Sequence, residues 1–529
     1  MTDPSQHDIS LECGDVTATG DFPNTATSHA ASPTTPDSVP ALGWNYCSAK
    51  ELVEALQTRK VSASELADHT IARIEALDKR LNAVVVRDFA RARQAAAAAD
   101  LALARGERRP LLGIPITIKE AFNVAGLPTT WGFPQFTDFV PKEDALIVSR
   151  LKRAGGVVLG KTNVPLGLRD FQCYNDVYGT TNNPWDTSRS PGGSSGGSAA
   201  ALAAGFGPLS FGSDIGGSVR VPAHFCGIYA HKPTSGMVPF RGYGMPPSPP
   251  LPRDIDLAVI GPMARTATDL TLALDVIAGP DEEREGGGYR LALPPSRHKN
   301  LRSFRVLVTD THPLMPTNRV VRTAIGRLAE RLEKTGVKVA RASVLLPNLV
   351  ESARLYVMLL ASVKGAGLPC DRYAEAQRLA TALTPDDHSL AAAHTRGSVI
   401  SHRDWLTIDE ARARLRQQWS LLFREWDVMV YPPAAVPAFP HDHSLPIEAR
   451  HLEIDGKSYP YSDACFVWAD PATTCGLPAT VAPIDLSPTG LPIGVQIIGP
   501  YLEDRTTITF AALLEREFGG FLAPPGYAG

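Results

Sequence analysis

The sequence predicts an α/β fold: one large domain in which a mixed β-sheet is covered by helices on both faces. Three observations carry that expectation. From residue 111 onward, short apolar runs alternate with helix-length amphipathic segments, the rhythm of a largely buried sheet with helices packed on it. Two well-capped helices precede this region. The length of 529 residues and the 44% hydrophobic content suffice for a substantial core in a globular chain.

The elements follow in order. Residues 1–42 are rich in Thr, Ser, Pro, Asp and Ala with little periodic hydrophobicity. A disordered or loosely docked tail is expected there, and the domain itself over 43–529. Ser48 to Glu51 and Ser62 to Glu65 each form a capping box, and the second opens a helix with Leu66, Ile71, Ile74 and Leu77 on one face. An alanine-rich helix is expected around 88–105. A strand over Ile114–Ile118, a helix around 144–154 and a strand over Val157–Leu159 follow. Next come a helix after Ser195, an apolar run Pro208–Gly212 and a helix around 267–278. The same alternation resumes at Arg305–Val308, Val320–Thr335 and Val337–Val344, and closes with Leu491–Ile498 and a helix at 505–517. Residues 360–470 look less regular and are read as mixed helices and long loops covering a pocket.

Composition removes several classes of function. A net charge of −3 gives no electrostatic case for binding nucleic acid or an acidic membrane surface. Seven cysteines stand singly with no CxxC pair, which argues against a disulfide framework and fits a reducing cytoplasm. The first residues carry neither a basic nor an apolar targeting region, and no run of eighteen apolar residues occurs. A cytoplasmic chain without a membrane span is expected.

The chemistry concentrates in 111–235. Pro191 to Ser198 reads P-G-G-S-S-G-G-S and runs into an alanine-rich helix; a glycine-rich turn before a helix exposes backbone N–H groups. Alone it is as consistent with a flexible loop or an anion cradle. A second segment, Gly212 to Ser218, reads G-S-D-I-G-G-S directly after an apolar strand. The N–H groups of Ile215, Gly216, Gly217 and Ser218 are candidates for a concave nest able to hold a tetrahedral oxyanion, with Ser218 placed to attack a carbonyl there. No G-x-S-x-G elbow announces a histidine-based triad, and His224 and His231 are close only in sequence. Lys119 ends the run Gly113–Lys119. A lysine at the end of a buried strand would be desolvated and favour the neutral base, although alone it reads more readily as an ordinary strand-end salt bridge.

Together these segments resemble the amidase signature hydrolases, a group that includes fatty acid amide hydrolase and many bacterial amidases. The resemblance rests on Ile114–Glu120, Gly160–Asn163, Gly179–Trp185, Pro191–Ser198, Gly212–Arg220, Phe225–Ile228, Lys232–Thr234, Gly261–Arg265 and Gly490–Gln496. They occur in order across 48–518. The resemblance implies the amidase signature fold and hydrolysis of an amide C–N bond, with Lys119 as base, Ser194 as relay and Ser218 as the acylated nucleophile. It also implies a cis peptide bond between Gly193 and Ser194. The backbone of Leu168 would line the pocket, and the amides of 215–218 would form the oxyanion hole. No metal or cofactor is implied; the partner is a small-molecule amide, and a homodimer would be in keeping with the family.

Two rival functions are weighed. One is the amidase subunit of a tRNA-dependent amidotransferase. Ile215 stands where that subunit usually has Thr, and Val221 where it usually has Gln, so a free-standing hydrolase for less polar substrates fits better. The other is a catalytically silent binding protein, but all three catalytic side chains are present. Two decoys are set aside. Gly155 to Thr162 matches a P-loop string, yet Val157–Leu159 inside it reads as a strand and Pro165 follows where a helix should run. His441 and His443 lack a third spaced ligand. An apolar or aryl amide, and by the same chemistry a carbamate, is the expected substrate class. Leu359, Leu360, Trp405, Phe466 and Trp468 are candidates for its pocket and equally for the core.

Overall fold

Eleven strands form one mixed sheet in the computed structural model, which describes residues 43–247, 254–284 and 288–528. The expected tail at 1–42 lies outside the described residues. In space the strands run Val84–Arg87, Val157–Thr162, Pro115–Lys119, Leu209–Asp214, Val259–Ala264 and Tyr229–Lys232. Ala479–Leu486, Pro492–Ile498, Val428–Tyr431, Arg305–Val308 and Lys338–Ala340 complete the order. Pro115–Lys119 pairs in parallel with Val157–Thr162 on one side and Leu209–Asp214 on the other. Every residue of these three strands is buried. Successive strand residues point to opposite faces, so burial throughout means that both faces are covered.

The local signals behave as their chemistry requires. Ser48 and Ser62 each complete a capping box with Glu51 and Glu65, satisfying N–H groups that the first helical turn leaves open. The helices Ala49–Gln57 and Ala63–Leu77 are further held by carboxylates from elsewhere in the fold. Asp269 accepts from the Ala49 N–H at 2.8 Å, and Asp100 from the Ala63 N–H at 2.6 Å. The closing helix spans Asp504–Phe518.

Two expectations need correction. Residues 360–425 are regular: the helices Leu349–Gly365, Cys370–Ala382, Leu390–Ser398 and His402–Glu425 occupy most of that stretch. Arg- and Gln-rich surfaces dilute their apolar period, which is why the sequence pattern hides them. The longest irregular stretch of 360–470 is 432–446, after which a hairpin, His451–Ile454 with Lys457–Pro460, leads into the helix Tyr461–Thr474. The apolar run Val337–Val344 yields only a three-residue edge strand, Lys338–Ala340, and Val344 is fully exposed. No helix among the described residues is long and apolar enough to cross a membrane.

Candidate active site

The site lies at the carboxyl ends of the parallel strands, where α/β sheets commonly place ligands. Lys119 is the last residue of Pro115–Lys119 and Asp214 the last of Leu209–Asp214. Parallel pairing of Ile118 with Phe211 brings Lys119 level with the chain just before Ser213. Its Nζ lies 2.7 Å from Ser194 Oγ and 3.0 Å from Ser213 Oγ. Burial of the whole side chain pushes its pKa down to about 7, with the charge of Asp214 and the Cys173 thiol opposing the shift. An amine so placed is neutral in a useful fraction near pH 7.

Two loops carry the serines. The peptide bond between Gly193 and Ser194 is cis. A side chain at Gly193 would collide with the carbonyl oxygens of Asp170 and Gln172, so only glycine fits. The next residue ties the loops together: the Ser195 N–H donates to the Ser218 carbonyl at 3.0 Å. That contact ties the loop of Ser194 to Ser218, and Lys119 meets Ser194 from the buried side.

Asp214 organises the Ser218 loop. Its carboxylate accepts from the N–H of Gly217 at 2.9 Å and of Val219 at 3.1 Å, and pairs with Arg220 at 2.9 Å in a fully buried ion pair. Burial alone would raise this carboxyl. The charge and hydrogen bond of Arg220, with the two backbone donors, outweigh that and hold it at about 2. Arg220 directs its other donors to Thr473, Gln496 and the Ala469 carbonyl. The loop is therefore held by several mutually supporting bonds, and its conformation is overdetermined.

This arrangement alters one expectation. The Gly217 N–H is committed to Asp214, and Gly217 is absent from the cavity wall. The amides of Ile215, Gly216 and Ser218 donate to no acceptor among the described residues, so they remain as candidate oxyanion donors. Tyr356 Oη donates to the Ile215 carbonyl at 2.9 Å, fixing the peptide plane that carries the Gly216 N–H.

A cavity of about 250 Å³ opens in front of these groups. Ser194, Ser218, Ile215, Gly216 and Leu168 all line it, while Lys119 sits buried behind Ser194. Leu168 holds a left-handed conformation with φ of +61°. Of the five pocket candidates Leu359, Leu360, Trp405, Phe466 and Trp468, Leu360 and Phe466 reach the wall. Leu359 and Trp468 are core residues, and Trp405 packs instead beside His402 and Arg412. The sequence reading missed Ser213, which bridges Lys119 and Tyr243 Oη, and the wall residues Trp131, Phe171 and Lys364. Ser213 adjoins the matched Asp214 and was discoverable from that adjacency; the others carry no local signal.

The remaining motifs find structural roles. His224 Nδ1 accepts from the Gly494 N–H at 2.7 Å. His231 lies between Thr480 and Asp504, each at 2.9 Å. The P-loop-like string runs through the strand Val157–Thr162, and Lys161 Nζ donates to Thr129 Oγ1 at 2.8 Å. His443 stacks on Tyr174 with ring centres 3.8 Å apart.

A buried lysine, two serines on glycine-rich loops and a mixed sheet together mark the amidase signature class of hydrolase. The Amidase family model matches residues 65–508, and the chain belongs to this family of amide C–N hydrolases. It is 33% identical to fatty-acid amide hydrolase 2-A of Danio rerio over 502 residues, covering 90% of each chain. It is 31% identical to a glutamyl-tRNA(Gln) amidotransferase subunit of Anaeromyxobacter sp. (strain K), covering 90% of this chain and 97% of that one. The solved structure of a bacterial aryl acylamidase of the amidase signature family superposes with a TM-score of 0.74 at 25% identity, covering 90% of this chain and 96% of the other.

Proposed function

We propose that the protein hydrolyses a carboxylic amide through an acyl-enzyme on Ser218, acting on apolar or aryl substrates and on carbamates of similar shape. The observation that carries this reading is the contact of 2.7 Å between Lys119 Nζ and Ser194 Oγ. Neutral Lys119 takes the Ser194 proton while Ser194 takes that of Ser218, and Ser218 Oγ attacks the carbonyl. The oxyanion that forms is met by the amides of Ile215, Gly216 and Ser218. Collapse breaks the C–N bond, and the proton returns along the same relay to the departing nitrogen. Water then cleaves the ester by the same path. A urethane carbonyl admits the same attack.

The apolar wall formed by Trp131, Leu168, Phe171, Ile255, Leu360 and Phe466 supports the substrate class, as does similarity to proteins named for fatty-acid amides and aryl acylamides. The amidotransferase component is the second reading, favoured by 31% identity over nearly its full length. Ile215 on the cavity wall puts an apolar side chain where that component usually carries Thr.

The test is hydrolysis of an anilide, a primary amide, a p-nitrophenyl ester and an aryl carbamate by the purified chain, beside Ser218→Ala and Lys119→Ala. Turnover should vanish in both variants, and a fluorophosphonate should label wild type but not Ser218→Ala. Near-normal turnover by Ser218→Ala would sink the mechanism. Activity appearing only with partner subunits would favour the second reading.

A further inference from the structure

The apolar cavity carries a cation that the proposed reaction does not use. Lys364, in the helix Leu349–Gly365, lines the same wall as Phe466 and Leu360. Its Nζ stands 5.0 Å from the centre of the Phe466 ring. That ring in turn abuts the oxyanion loop, since a Cβ on Gly216 would lie 3.1 Å from Phe466 Cε1. Phe466 is therefore approached by the Lys364 ammonium and by the Gly216 position of the oxyanion loop alike.

No acidic side chain among the described residues forms an ion pair with Lys364. The carboxylates on the cavity wall are already engaged. Asp214 is paired with Arg220. Asp170 accepts from Arg450 at 2.7 Å and from Tyr461 Oη at 2.6 Å. The charged groups that act on Lys364 are Arg169 and Glu448, and it in turn acts on His394. Burial pushes Lys364 down to about 8, with Arg169 adding to the shift more than Glu448 opposes it. With a pKa of about 8 the group stays mostly protonated at neutral pH. Arg169 lines the same cavity and has no ion pair of its own among the described residues. Lys364 is partly exposed on the cavity wall, so an incoming anion can reach its ammonium and form a charge-assisted hydrogen bond there.

We propose that Lys364, assisted by Arg169, is a specificity-determining anion subsite, so that the preferred substrate is an amphipathic amide bearing a carboxylate beyond an apolar or aryl spacer. The proposal rests on the hydrolase reading above and deepens it. The apolar wall takes the spacer, the amide carbonyl reaches Ser218, and the carboxylate meets the ammonium across the Phe466 edge. A carboxylate in that place replaces hydration of the lysine by a charge-assisted hydrogen bond.

The experiment compares two matched pairs of anilides. Glutaric monoanilide against pentananilide puts the charge on the acyl side; 4-acetamidobenzoate against acetanilide puts it on the leaving group. The readout is the ratio of kcat/KM, charged over neutral, within each pair. Wild type should favour the charged member of one pair by about tenfold or more. That ratio should fall toward unity in Lys364→Met, fall less in Arg169→Met, and be retained in Lys364→Arg. A second readout is independent of turnover: the charged member should protect Ser218 from fluorophosphonate labelling at lower concentration than its neutral partner. A wild-type ratio at or below unity in both pairs, or a ratio unchanged by Lys364→Met, overturns the proposal. Failure of the hydrolase reading looks different, because there Ser218→Ala would keep its anilide turnover.

Discussion

Lys119 Nζ and Ser194 Oγ are 2.7 Å apart in a pocket from which the lysine is wholly withdrawn from solvent. Burial depresses the amine to about 7, so its ionisation falls within the range where the proposed reaction is measured. The base works only when neutral, and it is neutral above that value. The rate of amide hydrolysis, as kcat/KM, should therefore rise with pH along a limb of apparent pKa near 7. Below the limb it should fall about tenfold per pH unit. A pH–rate profile on an anilide checks this, and a rate flat from about pH 5 to about pH 8 would contradict it.

Ser213 holds the other side of the same amine, with its Oγ 3.0 Å from Lys119 Nζ and 2.8 Å from Tyr243 Oη. Ser213→Ala removes this support and leaves Ser194 in place. We expect kcat to drop about tenfold, far less than in Lys119→Ala, because one hydrogen bond orienting the base is lost and not the base itself. Steady-state kinetics of the two variants on one substrate decide it; equal losses would mean that Ser213 does more than orient the lysine.

Asp214→Asn leaves the Arg220 guanidinium buried without its counter-charge. A loss of about 3–5 kcal/mol in unfolding free energy is expected, measurable by urea denaturation. In wild type the same carboxyl is held at about 2 against an ordinary 3.8. A carboxyl depressed on folding adds stability that is complete above its unfolded value. That stability should be lost as the pH falls from 3.8 through about 2. The variant should lack this component of acid sensitivity.

Gly216 is tightly flanked: an added Cβ would lie 3.1 Å from Phe466 Cε1 and 3.3 Å from Tyr356 Oη, so these side chains would have to give way slightly. Gly216→Ala should displace a candidate oxyanion donor and reduce kcat by about 10- to 100-fold. Phe466→Ala removes the nearest obstacle, so the double variant should recover part of the loss relative to the product of the single effects. Strict multiplicativity would place the cause outside this contact.

Gly217 presents a different constraint, with φ of +101° where L-residues are strained. Its N–H is bound to Asp214 and a Cβ would come within 3.1 Å of Val221 Cγ2. Gly217→Ala should lower the melting temperature as well as kcat, costing about 1–3 kcal/mol in stability. Gly216→Ala, at a position without positive φ, should affect kcat with a smaller change in melting temperature. Calorimetry beside kinetics separates the two.

The candidate reacting side chains were legible in the sequence because each lies in a short local segment, and the segments taken together, in order, carry the family resemblance that assigns their roles. Lys119 ends an apolar strand, Ser194 sits in a glycine-rich turn before a helix, and Ser218 closes a second turn after another strand. Such patterns are imposed by backbone geometry within a few residues. The capping boxes at Ser48 and Ser62, and the alternation of strand and helix, were legible for the same reason. Tertiary structure alone decided the rest. It inserted Ala479–Leu486 and Pro492–Ile498 between Tyr229–Lys232 and Val428–Tyr431. It also gave the Gly217 amide to Asp214, and brought Lys364 and Phe466 to the cavity wall from elements far along the chain. Strand order, the satisfaction of buried donors and the lining of a cavity depend on packing between segments with no sequence neighbourhood in common. The local code therefore carries the candidate catalytic groups, while the long-range fold sets the pKa of Lys119 and the shape of the cavity in front of it.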